Sequence, residues 1–260
     1  MRPTLAKNID TSKLTFGNVI PGKQGGKVLF PKYGDSSLCV QLPKMMIPFS
    51  ASDYQGNNKF SINFSFDNDN DQHMQVLKNL KDLDKKIIEE ASSNSLEWFG
   101  KKRSVEFVEE NFQSQLKFPS EEKYSTRLKA SIPLSRDRNS FECTVVDMSG
   151  DKVSLTTDNI TNEITSKSVG TAILECVGIW IVQNSLTLKW KLVKMKYSKF
   201  QSKQDLEFED DTDDEVDEDD DVRDTSSESS VELDEVEEVE EPKKRTGGKR
   251  KTSLSAEVNK

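Results

Sequence analysis

The chain has 260 residues, three cysteines and a formal net charge of −9, and its charge is sorted by position. Residues 1–204 hold 29 Lys/Arg against 23 Asp/Glu, residues 205–241 hold 22 acidic residues against Arg223, and residues 242–260 hold seven basic residues against Glu257. Three widely spaced cysteines exclude a disulfide framework, and the longest apolar run, residues 172–182, is too short to span a bilayer.

This charge pattern predicts one folded domain, residues 1–204, followed by a disordered acidic tail, residues 205–241, and a disordered basic extension, residues 242–260. The tail has few apolar residues, and they are scattered among like charges that repel one another. About 200 residues suffice for a single core. The N-terminal residues have no apolar segment of the kind that a secretory signal needs, so we expect a soluble intracellular protein.

The first third of the chain predicts β structure. Residues 27–33 and 37–42 flank Gly34-Asp35, a dipeptide suited to a tight turn, and are expected to form a hairpin. Residues 59–66 alternate between polar and apolar side chains, which predicts a strand with one buried face.

One long helix is predicted at residues 71–91, because seven apolar residues recur there at three- and four-residue spacing. Asp69, Asn70 and Asp71 supply a cap and a favourable charge at its start. His73 falls on the polar side of this helix and is expected at the surface. Residues 104–111 are compatible with a second helix or with a strand.

Further strands follow the helix. Residues 126–132 alternate and present Arg127 and Lys129 outward. Residues 141–146 and 152–155 predict a second hairpin. Residues 171–182 are apolar on both faces, which is typical of a central strand covered on both sides.

The last strand, residues 186–197, changes phase along its length. Leu186, Leu188, Trp190 and Leu192 form its first apolar face, and beyond them the apolar set becomes Val193, Met195 and Tyr197. A regular strand cannot do this without turning over, so we predict a β-bulge near Leu192 and Val193. Strands with an inserted helix favour a mainly β fold, a mixed β-barrel with one long inserted helix.

No residue pattern predicts an enzyme. His73 is the only histidine, and Asp67, Asp69 and Asp71 lack the glycine and the distant glutamate that a calcium loop requires. The chain has no phosphate-binding glycine loop and no Gly-x-Ser-x-Gly elbow. We therefore expect no metal and no cofactor, and we expect Cys39, Cys143 and Cys176 to be small buried residues.

Cations and aromatic residues are interleaved as in sites for single-stranded nucleic acid, where cations follow the phosphates and flat side chains stack on bases. For each of them the alternative is a solvated strand face or a core position, and Trp190, Phe60, Phe64 and Trp180 are expected in the core. The lysines of the last strand with Arg127 and Lys129 form the strongest candidate, because two solvent-exposed, positively charged strand faces would make one continuous cationic stripe. Tyrosines suit a wet groove because of their polar tips. The candidate nucleic-acid-binding residues are Lys32, Tyr33, Tyr54, Lys59, Lys101, Lys102, Arg103, Tyr124, Arg127, Lys129, Lys189, Lys191, Lys194, Lys196 and Tyr197.

The charged tail has two interpretations. It is either a solubilising polyanion or a mimic of DNA in cis, which occupies the basic groove until nucleic acid displaces it. The extension carries two basic clusters that match a nuclear-import signal or a second phosphate contact, namely Lys243, Lys244, Arg245, Lys249, Arg250 and Lys251. A rival hypothesis is an acidic-tailed chaperone or assembly protein that binds basic partners such as histone-like proteins.

Several segments between about residues 10 and 200 resemble a known family. They are residues 12–19 (SKLTFGNV), residues 25–49 ending in IPF, residues 58–66 (NKFSINFSF), residues 94–100 (NSLEWFG) and residues 168–197 with their Cys-x-Gly-Ile-Trp and Leu-Lys-Trp-Lys cores. In pattern and order they are similar to the single-stranded-DNA-binding proteins of nucleocytoplasmic large DNA viruses. That family is similar in turn to the replication protein of certain short-tailed phages.

The resemblance implies an OB-like barrel with a DNA groove of basic and aromatic residues, and an acidic tail that regulates DNA binding. It implies a role in viral DNA replication, recombination or repair. The implied partners are single-stranded DNA and, through the tail, replication proteins such as a polymerase, helicase or primase. A second copy of the chain is a further expected partner, and no membrane is expected. We expect the protein in the host cell nucleus or at a cytoplasmic viral replication site, with packaging in the virion as a further expectation. The chain departs from the phage pattern because a basic extension follows the acidic segment and Phe208 lies at the start of that segment.

Overall fold

The structure, a computed structural model, describes residues 2–22, 25–53, 56–121 and 123–200. Tyr54, the predicted acidic tail and the predicted basic extension with its two clusters lie outside the described residues. What the sequence predicts for them stays a prediction.

Strands dominate the described part of the chain, and the first half holds mostly short ones. The strands are β1 (Thr4–Leu5), β2 (Leu14–Phe16), β3 (Ile20–Pro21), β4 (Lys27–Leu29), β5 (Pro31–Tyr33), β6 (Ser36–Ser37), β7 (Cys39–Met46), β8 (Ser52–Asp53), β9 (Phe60–Ser65), β10 (Phe112–Gln113), β11 (Leu116–Lys117), β12 (Arg127–Ile132), β13 (Thr144–Val146), β14 (Lys152–Val153), β15 (Val169–Val182) and β16 (Ser185–Ser198). The α-helices are α1 (Asp71–Ser93), α2 (Ser95–Phe99), α3 (Val105–Glu110) and α4 (Ile160–Glu163). This confirms a mainly β chain with one long helix. Residues 104–111, whose sequence is compatible with a helix or a strand, contain helix α3.

Five of the strands close into a barrel. In sheet order they are β7, β9, β12, β16 and β15, and β15 pairs with β7 again to complete the ring. All neighbours in this ring are antiparallel except β12 and β16, which run parallel. A five-stranded barrel in which the third strand pairs with the fifth, and the fourth returns to the first, is an OB-like arrangement. β9 and β12 are then the second and third strands of that barrel.

The predicted bulge in the last strand is present. Leu192 pairs with Leu174 and Lys194 pairs with Ile173, so Val193 is the extra residue. Met195 and Tyr197 are buried after this shift, as predicted. Val193 is exposed, which corrects the expectation that it joins the apolar set, because the residue inserted at a bulge has no partner on the neighbouring strand.

β15 is the central strand of the sheet, but only one of its faces is fully buried. It pairs with β16, β7 and β4, and its inward residues alternate with half-buried ones such as Ile173 and Val177. The expectation of full cover on both sides is therefore wrong. Trp180, expected in the core, is half-buried on the outer face, whereas Phe60, Phe64 and Trp190 are buried as predicted.

Helix α1 follows β9 and packs its apolar stripe into the core. Its seven predicted stripe residues are all buried: Val76, Leu77, Leu80, Leu83, Ile87, Ile88 and Ala91. Asn70 caps the helix as predicted, because its side chain accepts hydrogen bonds from the backbone N–H groups of Gln72 and His73.

His73 is buried, which corrects its predicted surface position. Its Nδ1 accepts from the Asp67 backbone N–H at 3.0 Å, and its Nε2 lies 2.9 Å from the Lys44 carbonyl oxygen. These two bonds are made together by the neutral ring that carries its proton on Nε2. The histidine thus joins the start of α1 to β7, a contact between distant segments that the periodicity of one helix does not reveal.

The first predicted hairpin is shorter than expected. Only β5 and β6 pair across Gly34-Asp35, and Gly34 has φ of 60° as a tight turn requires. β4 and β7 pair instead with β15, so β7 belongs to the barrel and β4 extends its sheet beyond the ring. The second hairpin, β13 with β14, is confirmed. In the described ranges, no helix has the length and apolar character to cross a membrane.

Candidate nucleic-acid interface

The outer faces of β9, β12 and β16 carry one row of cations. Lys129 is opposite Asn63, Arg127 is opposite Ser65, and Ser131 is opposite both Ser61 and Lys191. Because cross-strand partners lie on the same face of a sheet, Arg127 and Lys129 share a face with Lys189 and Lys191. The four cations that the sequence placed on one stripe therefore lie together on adjacent strands.

A groove of about 430 Å³ runs along one end of this face. We call it the lysine groove, because three lysines from three strands or their flanks line it: Lys59, Lys129 and Lys189. Asn58, Ser61, Gln115 and Ser131 supply its neutral polar side chains. Such a lining offers positive charge and hydrogen-bond donors without a carboxylate, which suits phosphate oxygens.

A second groove, of about 800 Å³, lies at the other end of β12 around Arg127. We call it the aromatic groove, because its lining includes Phe49, Phe118 and Tyr124, which are 49%, 56% and 58% exposed. A cation covers each ring: the Arg127 guanidinium lies 5.0 Å from the Phe49 centroid, Lys81 Nζ 5.2 Å from Phe118, and Lys123 Nζ 5.0 Å from Tyr124. Exposed flat rings beside cations are what stacking on unpaired bases requires.

The two grooves are joined by the segment 114–118. Gln115 lines the lysine groove, Phe118 lines the aromatic groove, and Lys117 is opposite Arg127 in the pairing of β11 with β12. Helix α1 holds this segment, because the Ser114 hydroxyl donates to the Asp84 carboxylate. The segment also bonds to β12, whose Lys129 N–H donates to the Gln115 carbonyl at 3.0 Å.

The pKa values of Lys117 in this segment and of Asp84 on the adjoining helix are both shifted. Burial lowers the pKa of Lys117, and the neighbouring charge of Lys129 lowers it further. Burial raises the pKa of Asp84 to about 6 against the opposing effects of the Ser114 hydroxyl and Lys117. The charge of Asp84 acts on Lys117 in the opposite direction and raises its pKa.

The loop that carries Phe49 is fixed by backbone hydrogen bonds to the segment before β15. Ile47 N–H donates to the Ser168 carbonyl at 2.8 Å, and Ala51 N–H donates to the Ile164 carbonyl at 2.9 Å. The exposed ring is thus mounted on an ordered support, which reduces the entropy lost when a ligand stacks on it.

Other sequence-predicted residues lie elsewhere. Lys32 is exposed and Tyr33 half-buried in the small sheet of β2, β5 and β6, where the Tyr33 hydroxyl accepts from the Asp10 N–H at 3.0 Å. Lys194 and Lys196 are exposed on β16 beyond the bulge, beside β13. None of these four lines either groove.

Lys101, Lys102 and Arg103 lie beyond α2 and line neither groove. Lys101 and Lys102 are exposed. The Arg103 guanidinium covers the Phe107 ring at 4.1 Å and donates to the Asn184 side chain at 2.9 Å. Arg103 therefore braces the turn between β15 and β16.

Two predicted site residues have other partners. Tyr197 is only 3% exposed, its hydroxyl donates to the Glu163 carbonyl at 3.2 Å, and burial raises its pKa, so it has no face for a base. The prediction that it stacks is corrected, because the bulge turns it inward. Lys191 forms an ion pair with Glu175 at 3.1 Å, so its charge is matched within the protein.

The sequence interpretation missed Phe49, Phe118, Lys117 and Lys123. The available signal was that Phe49 and Phe118 each adjoin a proline outside any alternating pattern, so no strand face claims them. Within the described ranges no group of three or more His, Cys, Asp or Glu side chains could hold a metal ion. The three thiols are free, and burial raises the pKa of Cys143 to about 11 and that of Cys176 to about 12.

Comparison with known proteins finds similar solved structures from phages and one sequence family. The single-stranded DNA-binding protein from bacteriophage Enc34 in complex with ssDNA is 14% identical, with a TM-score of 0.43 over 71% of this chain and 97% of that chain. The single-stranded DNA-binding protein gp2.5 of bacteriophage T7 is 15% identical, with a TM-score of 0.41 over 72% of this chain and 100% of that chain. No curated protein matches the chain. The model of a family of unknown function, DUF5871, matches residues 58–211, which is more than half of the chain, and the chain belongs to that family.

Proposed function

We propose that this chain is a sequence-tolerant single-stranded-DNA-binding protein that acts in the replication, recombination or repair of viral DNA. One observation carries the proposal. The lysine groove and the aromatic groove, with its three exposed rings, both lie on the outer surface formed by the second, third and fifth barrel strands. In OB barrels the face of the second and third strands is the one that binds oligonucleotides.

The chemistry of the grooves favours unpaired strands over a duplex. A base can stack on Phe49, Phe118 or Tyr124 only when it is free of its own neighbours, and every base has a face that stacks. Lys59, Lys129 and Arg127 meet phosphates, which carry no sequence information. Binding is therefore expected to tolerate any sequence.

A titration with fluorescently labelled oligo-dT over a salt series tests the proposal. Log K should fall with log salt at a slope of about −0.7 per phosphate neutralised. Lys129→Ala should make the slope shallower by about that amount, whereas Phe118→Ala should weaken binding by about 1 to 3 kcal/mol without changing the slope. Lys78→Ala, at an exposed position of α1 that lines neither groove, is the control.

The absence of binding at low salt would contradict the proposal. It would leave the rival, an acidic-tailed chaperone or assembly protein for basic partners, as the function to test.

We further propose that the acidic segment 205–241 competes with DNA for these grooves and contacts replication proteins. Its 22 acidic residues against Arg223 oppose the basic residues of the grooves in sign. At physiological salt charges interact over about 8 Å, so such contacts exchange readily. A chain ending at residue 204 should bind oligo-dT more tightly than the full chain at the same salt, and equal affinities would count against competition.

A further inference from the structure

The outer face of β15 carries two aromatic residues that belong to no part of the hydrophobic core. Phe30 follows β4 and is 49% exposed, and Trp180 is half-buried on β15. Neither is among the buried core residues or the partly buried residues packed against them. Trp180 pairs with Val28 of β4 on one side and with Thr187 of β16 on the other.

Gly178 makes room for the Phe30 ring on this face. A side-chain carbon built at Gly178 would lie 3.4 Å from Phe30 Cδ1 and 3.1 Å from Val28 Cγ2, and Gly178 has φ of 134°. The ring thus lies close to the β15 backbone at a position where other residues would be strained. Phe30 is held against the strand while nearly half of its surface stays open.

Lys189 connects this aromatic pair to the lysine groove. It is the partner of Gly178 in the pairing of β15 with β16, and it lines the lysine groove. Its Nζ lies 5.2 Å from the centroid of the Trp180 ring. A single DNA strand that places one phosphate on Lys189 would therefore have its next base beside Trp180 and Phe30.

We propose that Phe30 and Trp180 form a further base-binding subsite. A nucleobase of the DNA that leaves the lysine groove stacks on these two rings, while Lys189 binds the adjacent phosphate. This inference rests on the proposed function. It extends the binding surface from the face of β9 and β12 across β16 to β15. The ligand class is an unpaired base of any identity, because the pair offers ring surface and no fixed set of donors and acceptors.

Tryptophan fluorescence tests the subsite directly in the full chain. The chain has three tryptophans, and Trp98 and Trp190 are each only 3% exposed. Oligo-dT should quench the emission of the wild-type protein, Trp180→Phe should abolish the quenching, and Trp98→Phe, at a buried tryptophan that lines neither groove, should keep it. Quenching that survives Trp180→Phe, or that vanishes with Trp98→Phe, would overturn the subsite.

A second variant keeps the test independent of the tryptophan. Phe30→Ala should weaken oligo-dT binding at least about 5-fold, which corresponds to the lower end of the range for one stacked base. The control is Met148→Ala, at a residue that is 55% exposed in the turn between β13 and β14 and should leave affinity unchanged.

The outcomes separate the two proposals. If labelled oligo-dT binds normally but neither quenching nor the Phe30→Ala loss is seen, the subsite is wrong and the proposed function stands. If labelled oligo-dT does not bind at all, the proposed function itself fails.

Discussion

The carboxylate of Asp84 offers a quantitative test of how α1 supports the interface. It is half-buried on the helix, where the Ser114 hydroxyl donates to it and so fixes the segment that carries Lys117 and Phe118. Burial raises its pKa from the ordinary 3.8 to about 6. Asp84→Asn keeps the size and an acceptor oxygen for Ser114 while it removes the charge.

The sign of the effect follows from proton binding. Between pH 4 and 6 the folded protein holds a proton on Asp84 that the unfolded chain has lost, so this group makes stability fall as pH rises through that window. The shift of the pKa from 3.8 to about 6 corresponds to about 3 kcal/mol at 1.36 kcal/mol per pKa unit. Asp84→Asn should therefore be more stable than the wild type at pH 7 by up to about 3 kcal/mol, and the gain should shrink towards pH 4.

Urea unfolding of both proteins at pH 4.5, 5.5 and 7, followed by circular dichroism, measures this difference. Asp82→Asn is the matched control, because Asp82 is exposed on the same helix and should give a difference near zero at each pH. A difference for Asp84→Asn that is the same at pH 4.5 and 7 would refute the assignment of the shift to burial of the charge.

Three further predictions concern residues of strand β15 and of helix α1. Glu175→Gln should break the ion pair of Lys191 and steepen the salt dependence of oligo-dT binding by about 0.7 in the slope of log K against log salt. Adding Lys191→Ala should restore the wild-type slope. An unchanged slope in the single variant would contradict this prediction. Gly178→Ala should cost about 1 to 3 kcal/mol of stability in urea unfolding, because its φ of 134° suits glycine alone. His73→Ala should lower stability by about 2 kcal/mol or more without changing oligo-dT affinity, since it leaves two hydrogen-bonding groups without their partner; weaker DNA binding would place His73 in the interface.

The elements that the sequence predicted well are those whose signal is local. The stripe of α1, the Asn70 cap and the alternation of β9 and β12 each depend on residues a few positions apart. The bulge at Val193 was predictable because a phase change within one strand has one simple geometric explanation.

Most of the failures have a common cause in contacts between distant segments. His73 is predicted on the polar side of its helix, but the Lys44 carbonyl of β7 binds its ring in the interior. Tyr197 is different, because the predicted bulge already placed it on the apolar face and its choice as a stacking residue overlooked that position. Phe49 and Phe118 are separated by almost 70 positions, and only the fold brings them to one groove. The sequence pattern predicts Lys191 as one more cation of the stripe, but Glu175 of β15 lies beside it and forms an ion pair with it.

The sequence by itself determined that the charges are divided between a mildly basic domain and an acidic segment, and that β12 and β16 each present cations on one side, because alternation fixes the face of every strand residue. Only the tertiary structure decided that these two faces adjoin, since the parallel pairing of Ser131 with Lys191 joins strands about 60 residues apart. It also decided which aromatic rings stay exposed, because exposure depends on what the rest of the chain covers, and no local pattern records that.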